Sequence, residues 1–230
     1  HLWFWPLALA AWLMTACTRR PATAWGVGRR SARALLRLSG VALDVQGLEH
    51  LPEGPCVAVC NHGSYADGML LVAALPRPFV FVAKRELLAQ PIARIYLERL
   101  GAVFVERAEV ARSVADAERL AAVVQQGGSL LVFPEGTFVA RPGLLAFHLG
   151  AFLAAARAGV PVVPLALSGP RTLLPAGTGW PRRARITLSI GAPIHPAPEA
   201  PDVFAAGVRL RDAARDAIAR ALAAGEDRPT

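Results

Sequence analysis

A histidine and an aspartate stand five residues apart in Asn61-His62-Gly63-Ser64-Tyr65-Ala66-Asp67, directly after the apolar run Cys56-Val57-Ala58-Val59-Cys60. A carboxylate that accepts a hydrogen bond from one imidazole nitrogen fixes the tautomer and leaves the other nitrogen as a base. It also stabilises the imidazolium once a proton has arrived. Such a pair suits abstraction of a proton from a hydroxyl. A second apolar run, 129–133, feeds Pro134-Glu135-Gly136-Thr137. Proline ends a strand, glycine lets backbone approach a ligand closely, and Glu135 is an acceptor for a substrate hydroxyl. Arg107 follows the apolar stretch 102–105 and offers a guanidinium fork of the kind that grips phosphate; a salt bridge to Glu106 or Glu109 is its other use.

Two other chemistries fit less well. Ser64 as a nucleophile lacks any G-x-S-x-G elbow and lies too near His62 along the loop for a triad, so it is expected to shape the loop. No Cys/His cluster has zinc-like spacing, so no metal site is expected. Cys17, Cys56 and Cys60 make no disulfide framework: Cys56 and Cys60 would lie about 13 Å apart on an extended strand. They point to a reducing compartment.

The elements that must position these residues alternate along the chain. Strands are expected at 41–45, 55–60, 79–83, 102–105, 129–133, 160–166 and 185–190. Helices are expected at 68–75, 86–100, 110–126, 150–158 and 202–224. Continuous apolar strands separated by helices predict an α/β fold with a largely parallel central sheet covered by helices. His62 and Glu135 would then both sit at strand carboxyl ends, where such folds gather ligands. Val160-Pro161-Val162-Val163-Pro164 carries two prolines and is read as a sheet edge or one wall of an apolar groove, with part of the helix after Gly68 as another.

The beginning of the chain is different. Residues 2–17 contain no charge and include Trp3, Trp5 and Trp12; Arg19, Arg20, Arg29 and Arg30 follow. The run suits a tilted or half-inserted membrane helix, and the arginines place the rest of the chain on the cytoplasmic side. A buried soluble helix and a lipoprotein cleavage site at Cys17 are the other readings. Residues 22–39 read as a basic amphipathic helix for a bilayer surface, or as an ordinary surface helix. The expected division is a membrane-associated helical segment at 1–39 and a catalytic domain at 40–230. At 230 residues there is room for one full α/β core. The net charge of +8, with 18% charged residues, fits an anionic membrane or a phosphate-bearing carrier. Aromatic residues are too scattered for base stacking, so no nucleic-acid partner is expected.

In this order the blocks 61–67, 101–107, 133–137 and 160–164 resemble the 1-acylglycerol-3-phosphate acyltransferase family. Its motifs are N-H-x-S-x-x-D, G-x-[IVF]-F-[IV]-[DE]-R, F-P-E-G-T-R-S and [VI]-P-[IV]-[IV]-P. The similarity runs from about Gly54 to Ile194, and the first and third blocks are specific in combination. The resemblance implies transfer of a fatty acyl group from acyl-CoA or acyl carrier protein to the hydroxyl of a lysophospholipid at the cytoplasmic face of the inner membrane, without a further cofactor. Acylation of another hydroxylated lipid, a hydrolase using water and a catalytically silent membrane-bound module are the alternatives. The resemblance makes His62 the general base and Asp67 its orienting partner. Lys84, Arg107, Glu135, Gly136 and Thr137 would surround the acceptor's glycerol phosphate, with backbone donors near Gly136 stabilising the oxyanion. The third block departs after its threonine: the family's arginine and serine are absent, because Thr137 is followed by Phe138-Val139-Ala140, and the family's lysine near the following Phe-x-x-Gly is matched by His148. Arg141 is the expected substitute for the arginine.

Overall fold

The structure is a computed structural model and describes residues 4–106, 110–137, 143–173 and 182–226. Seven strands form one sheet: β1 (Ala42–Gln46), β2 (Val57–Cys60), β3 (Val80–Lys84), β4 (Val103–Val105), β5 (Leu130–Val132), β6 (Val162–Ser168) and β7 (Arg185–Ile190). Their spatial order is β1-β7-β6-β2-β5-β3-β4. All neighbours are parallel except β6 and β7. The expected largely parallel α/β sheet is present.

Alternation along β2 separates two cores. Ala58 and Cys60 face a layer made by α2 (Pro21–Leu38) and α3 (Asp67–Ala74), while Val57 and Val59 face α5 (Val110–Gln125), α6 (Gly150–Ala158) and α8 (Val203–Glu226). Period-two side chains on a strand covered on both faces produce this split. The chain places β5 beside β2, then crosses through α6 to lay β6 on β2's other side. The carboxyl ends of β2, β3, β4, β5 and β6 therefore share one edge of the sheet, with β2 at the point where strand order reverses.

Four local outcomes differ from the sequence-based expectations. The helix expected over 86–100 is a 3-10 turn, Arg85–Ala89, followed by α4 (Pro91–Arg99). Pro91 occupies the first turn of α4 and holds Gln90 extended, at φ −105° and ψ 101°. Second, β6 is an interior strand, wedged between β7 and β2. Pro161 precedes the strand, and Pro164 is tolerated within it because its nitrogen is on the β7 side, where β7 has already ended at Ile190, and Gly191 N–H donates to the Pro164 carbonyl. Gly191 is needed there: a Cβ would lie 2.9 Å from Pro164 Cγ. Third, β6 and most of α3 are buried, and among the described residues a groove lies on the other side of β2, beside Val82, Val105, Leu120, Val132, Phe133 and Ala151.

Fourth, the apolar face of α2 is not left for a bilayer. Trp25 is buried against Phe79 and Phe81, and Arg33 Nε donates to the Ala73 carbonyl at the end of α3. Before it, α1 (Phe4–Ala16) is tied to α4: Trp12 Nε1 donates to Ile92 O, and Arg99 Nε to Ala16 O. Trp5, Leu9 and Leu13, spaced by one helical turn, remain exposed, as does Met14. Among the described residues no helix is long and apolar enough to cross a membrane.

Candidate active site

The site begins where β2 stops. Asn61 takes over the strand's hydrogen bonding with its side chain, since Oδ1 accepts Leu167 N–H at 2.7 Å and Nδ2 donates to Leu167 O at 3.0 Å. That pair extends the β2–β6 ladder by one step and releases the backbone to turn. The turn closes on Asp67, the first residue of α3. A single oxygen, Oδ2, accepts from His62 Nδ1 at 2.7 Å, Gly63 N–H at 2.7 Å and Ser64 N–H at 3.0 Å. Asp67 is fully buried, and its carboxylate lies at a helix N-terminus, where negative charge is favoured. Ser64 shapes the loop as expected: its Oγ accepts Ala66 N–H and its carbonyl accepts Asp67 N–H.

The imidazole of His62 is therefore held by Nδ1, with Nε2 on the opposite side of the ring. Phe133 stacks on the ring at 4.2 Å between centroids and 18° between planes. The His62 side chain keeps 20% exposure, enough for a small substrate group to meet it.

Glu135 comes from the neighbouring strand exit. Its Oε1 accepts His62 backbone N–H at 2.8 Å and its Oε2 accepts Leu145 N–H at 2.8 Å, with the side chain 5% exposed. Both oxygens hold backbone, so the carboxylate locks the turn after β5 to the loop after β2. Gly136 adopts φ +75°, the left-handed region that glycine reaches at least cost. Its own N–H donates to Phe133 O at 3.1 Å and closes the turn. Thr137 is exposed beside it.

Under the loop, Cys60 is fully buried. Burial pushes its thiol well above the ordinary range, and the carboxylates of Asp67 and Glu135 push further the same way.

Thus the structure brings His62, Asp67 and Glu135 into one hydrogen-bonded unit, with Gly136 and Thr137 adjoining. Lys84 lies on the same edge at the end of β3, two strands from β2, or about 10 Å at ordinary strand spacing. Arg107 and Arg141 lie outside the described residues. Three contributors had escaped functional assignment from sequence. Asn61 and Phe133 stand inside the two motifs, which was their signal. Arg171, in the short helix α7 (Pro170–Leu173), had none; it packs on Gly63 from the β6 side.

Comparison with known proteins bears on this edge of the sheet. A family model described as Acyltransferase matches residues 42–168, from β1 to the end of β6. A chloroplastic 1-acyl-sn-glycerol-3-phosphate acyltransferase, BAT2 of Brassica napus, is 35% identical over 155 residues, covering 66% of this chain and 45% of that protein. The 1-acyl-sn-glycerol-3-phosphate acyltransferase alpha of Homo sapiens is 35% identical over 133 residues, covering 57% of this chain and 47% of its own length. The chain spans about half the length of the curated relatives it matches. Among solved structures, the 1-acyl-sn-glycerophosphate (LPA) acyltransferase PlsC from Thermotoga maritima superposes with a TM-score of 0.77 at 24% identity, covering 100% of this chain and 95% of that one; this likeness speaks for the fold. The family model covers more than half of the chain and takes in both strand exits that meet at His62, and the chain belongs to the acyltransferase family.

Proposed function

We propose that the protein transfers a fatty acyl group from an acyl thioester, carried by coenzyme A or acyl carrier protein, to the free hydroxyl of a lysophospholipid, with 1-acyl-sn-glycerol 3-phosphate as the acceptor. The observation that carries the reading is the 2.7 Å bond between His62 Nδ1 and Asp67 Oδ2, in a loop clamped by Glu135 at the centre of the shared edge. The names of the relatives in Brassica napus and Homo sapiens support the acceptor.

In the proposed reaction Nε2 of His62 takes the proton of the acceptor hydroxyl as its oxygen bonds to the thioester carbonyl carbon. Asp67 stabilises the imidazolium that results. The tetrahedral intermediate collapses with cleavage of the carbon–sulfur bond, and the departing thiolate takes the proton from Nε2. The products are an ester and a free thiol. His62 acts first as base and then as acid, without an acyl-enzyme and without a further cofactor. The groove beside Phe133, which stacks on the imidazole, has one wall of Val82, Val105, Leu120 and Val132 that suits the start of an acyl chain, and carries Glu106, Asp116 and His148 on its remaining lining.

We further propose that α1 seats the protein on the cytoplasmic face of the inner membrane, with Trp5, Leu9 and Leu13 in the lipid. Arg19 and Arg20 follow α1 at the level of anionic headgroups.

The test is an assay of purified protein with lysophosphatidic acid and either acyl-CoA or acyl carrier protein thioester, following thiol release and phosphatidic acid together. Stoichiometric formation of both is expected. Thiol release that yields free fatty acid would instead identify a hydrolase. No consumption of either donor would identify a catalytically silent member of the fold.

A further inference from the structure

Arg171 is placed against the His62 loop, and among the described residues no anion meets its guanidinium. A Cβ built on Gly63 would lie 3.3 Å from Arg171 Nε, 3.6 Å from its Cγ and 3.8 Å from its Cζ, so the guanidinium rests on the residue next to His62. The lack of a side chain at position 63 is what admits it. The Asn61–Leu167 pair fixes this approach, because it locks the end of β6, four residues before Arg171, to the start of the His62 loop. Arg171 Nε is buried without a hydrogen-bond partner, and among the described residues no carboxylate pairs with the guanidinium. A buried guanidinium N–H left unpaired is costly, and such groups are completed by ordered water, an ion or a ligand.

A second observation concerns what is missing. Thr137 is followed by phenylalanine, so the motif after β5 carries no arginine at the position next to the threonine. Lys84 approaches from two strands away on the other side of β2. Among the described residues a cation that packs on the His62 loop comes instead from α7, just after β6: Arg171.

We propose that Arg171 binds the phosphate of the acyl acceptor and sets the preference for a phosphorylated acceptor. The inference rests on the acyl-transfer reading above. Reach selects the acceptor's phosphate over the donor's. In 1-acyl-sn-glycerol 3-phosphate the reacting hydroxyl and the phosphate ester sit on neighbouring carbons, only a few bond lengths apart. The donor's phosphates lie at the far end of a pantetheine arm. A hydroxyl at His62 therefore brings its own phosphate to a guanidinium resting on Gly63. The forked N–H groups of arginine match phosphate oxygens, which a lysine matches less well.

The experiment compares wild type, Arg171→Ala and Arg171→Lys with lysophosphatidic acid and with the corresponding uncharged monoacylglycerol. Calorimetric titration with sn-glycerol 3-phosphate and a thermal melt accompany each variant. Arg171→Ala is expected to raise KM for lysophosphatidic acid about 10- to 100-fold, the loss of one charged hydrogen bond. The donor's KM should move by less than about twofold, and the preference over monoacylglycerol should fall in proportion. Arg171→Lys should recover part of the loss, and sn-glycerol 3-phosphate should bind wild type more tightly than Arg171→Ala. Equal losses with both acceptors would overturn the proposal, making Arg171 a prop for the loop; a rise confined to the donor's KM would overturn it too. The titration separates the two readings. Arg171-dependent binding of sn-glycerol 3-phosphate in a chain that transfers no acyl group keeps the phosphate site and overturns the reaction. Unchanged transfer in Arg171→Ala does the reverse.

Discussion

Glu135 Oε1 accepts the backbone N–H of His62 at 2.8 Å, so the turn after β5 holds the proposed base by its main chain. The side chain of the same residue is held by Asp67. Two carboxylates from two strand exits thus fix one imidazole, one from the backbone and one from the ring. The arrangement divides labour in a way that mutations can separate.

His62→Ala removes the base and leaves its backbone N–H to bond Glu135. We expect acyl transfer to fall by about 10²–10⁴-fold or more, with the melting temperature nearly unchanged. Steady-state kinetics and a thermal melt on the same preparation check this. Near-wild-type turnover in the folded variant would exclude His62 as the base.

Asp67→Asn should fail on both counts. An amide in place of the carboxylate loses the charge that stabilises the imidazolium and weakens the bonds from Gly63 and Ser64. Activity is expected to fall about as far as in His62→Ala. The melting temperature should fall as well, which distinguishes the two variants.

Glu135→Gln is expected to act mainly through structure. One of two charged acceptors of backbone N–H becomes an amide donor, at a cost of about 1.5–3 kcal/mol. For a chain of this length that corresponds to a fall in Tm of roughly 3–12 °C. Since the carboxylate holds loops, kcat should drop with less change in the acceptor's KM. A change confined to that KM would mean that Glu135 binds substrate directly.

Thiol chemistry should report the integrity of β2. Burial raises the Cys60 thiol well above its ordinary range. It raises Cys56 as well, against the opposing pull of the Arg77 guanidinium and Ser129. Both remain protonated and enclosed at neutral pH, whereas Cys17 is exposed. A maleimide should modify one thiol in the native protein, leave transfer intact and modify three after denaturation, as read by mass spectrometry. Native labelling of Cys60 would mean that β2 opens.

The bilayer proposal is tested at Leu9 and Leu13, which are 57% and 48% exposed on α1. Each half-exposed leucine contributes about 1 kcal/mol on entering lipid, and a charge there is unfavourable. Leu9→Glu with Leu13→Glu should reduce flotation with anionic liposomes by at least about tenfold, while leaving Tm in detergent unaltered. Unreduced flotation would move the contact elsewhere.

How much of this was legible along the chain depends on the range of the physics involved. The His62–Asp67 pair is local: five residues in one loop fix which atoms can meet, and the buried strand before it fixes where the loop emerges. Strand and helix positions were legible for the same reason, since burial on both faces of a parallel sheet writes continuous apolar runs. Pro91 shows a limit even there, because it ends one turn and starts another within a single apolar stretch.

Relations between distant segments were settled only by the tertiary fold. Two prolines made 160–166 look like an edge, yet β6 lies inside the sheet, because its missing donor falls where β7 has already departed. Glu135 carries the chemistry of a substrate acceptor, but folding brings His62 and Leu145 backbone to it first. Arg171 is one arginine among many in the linear chain. It stands out only because β6 lies next to β2 and brings its guanidinium against Gly63, where among the described residues no carboxylate pairs with it.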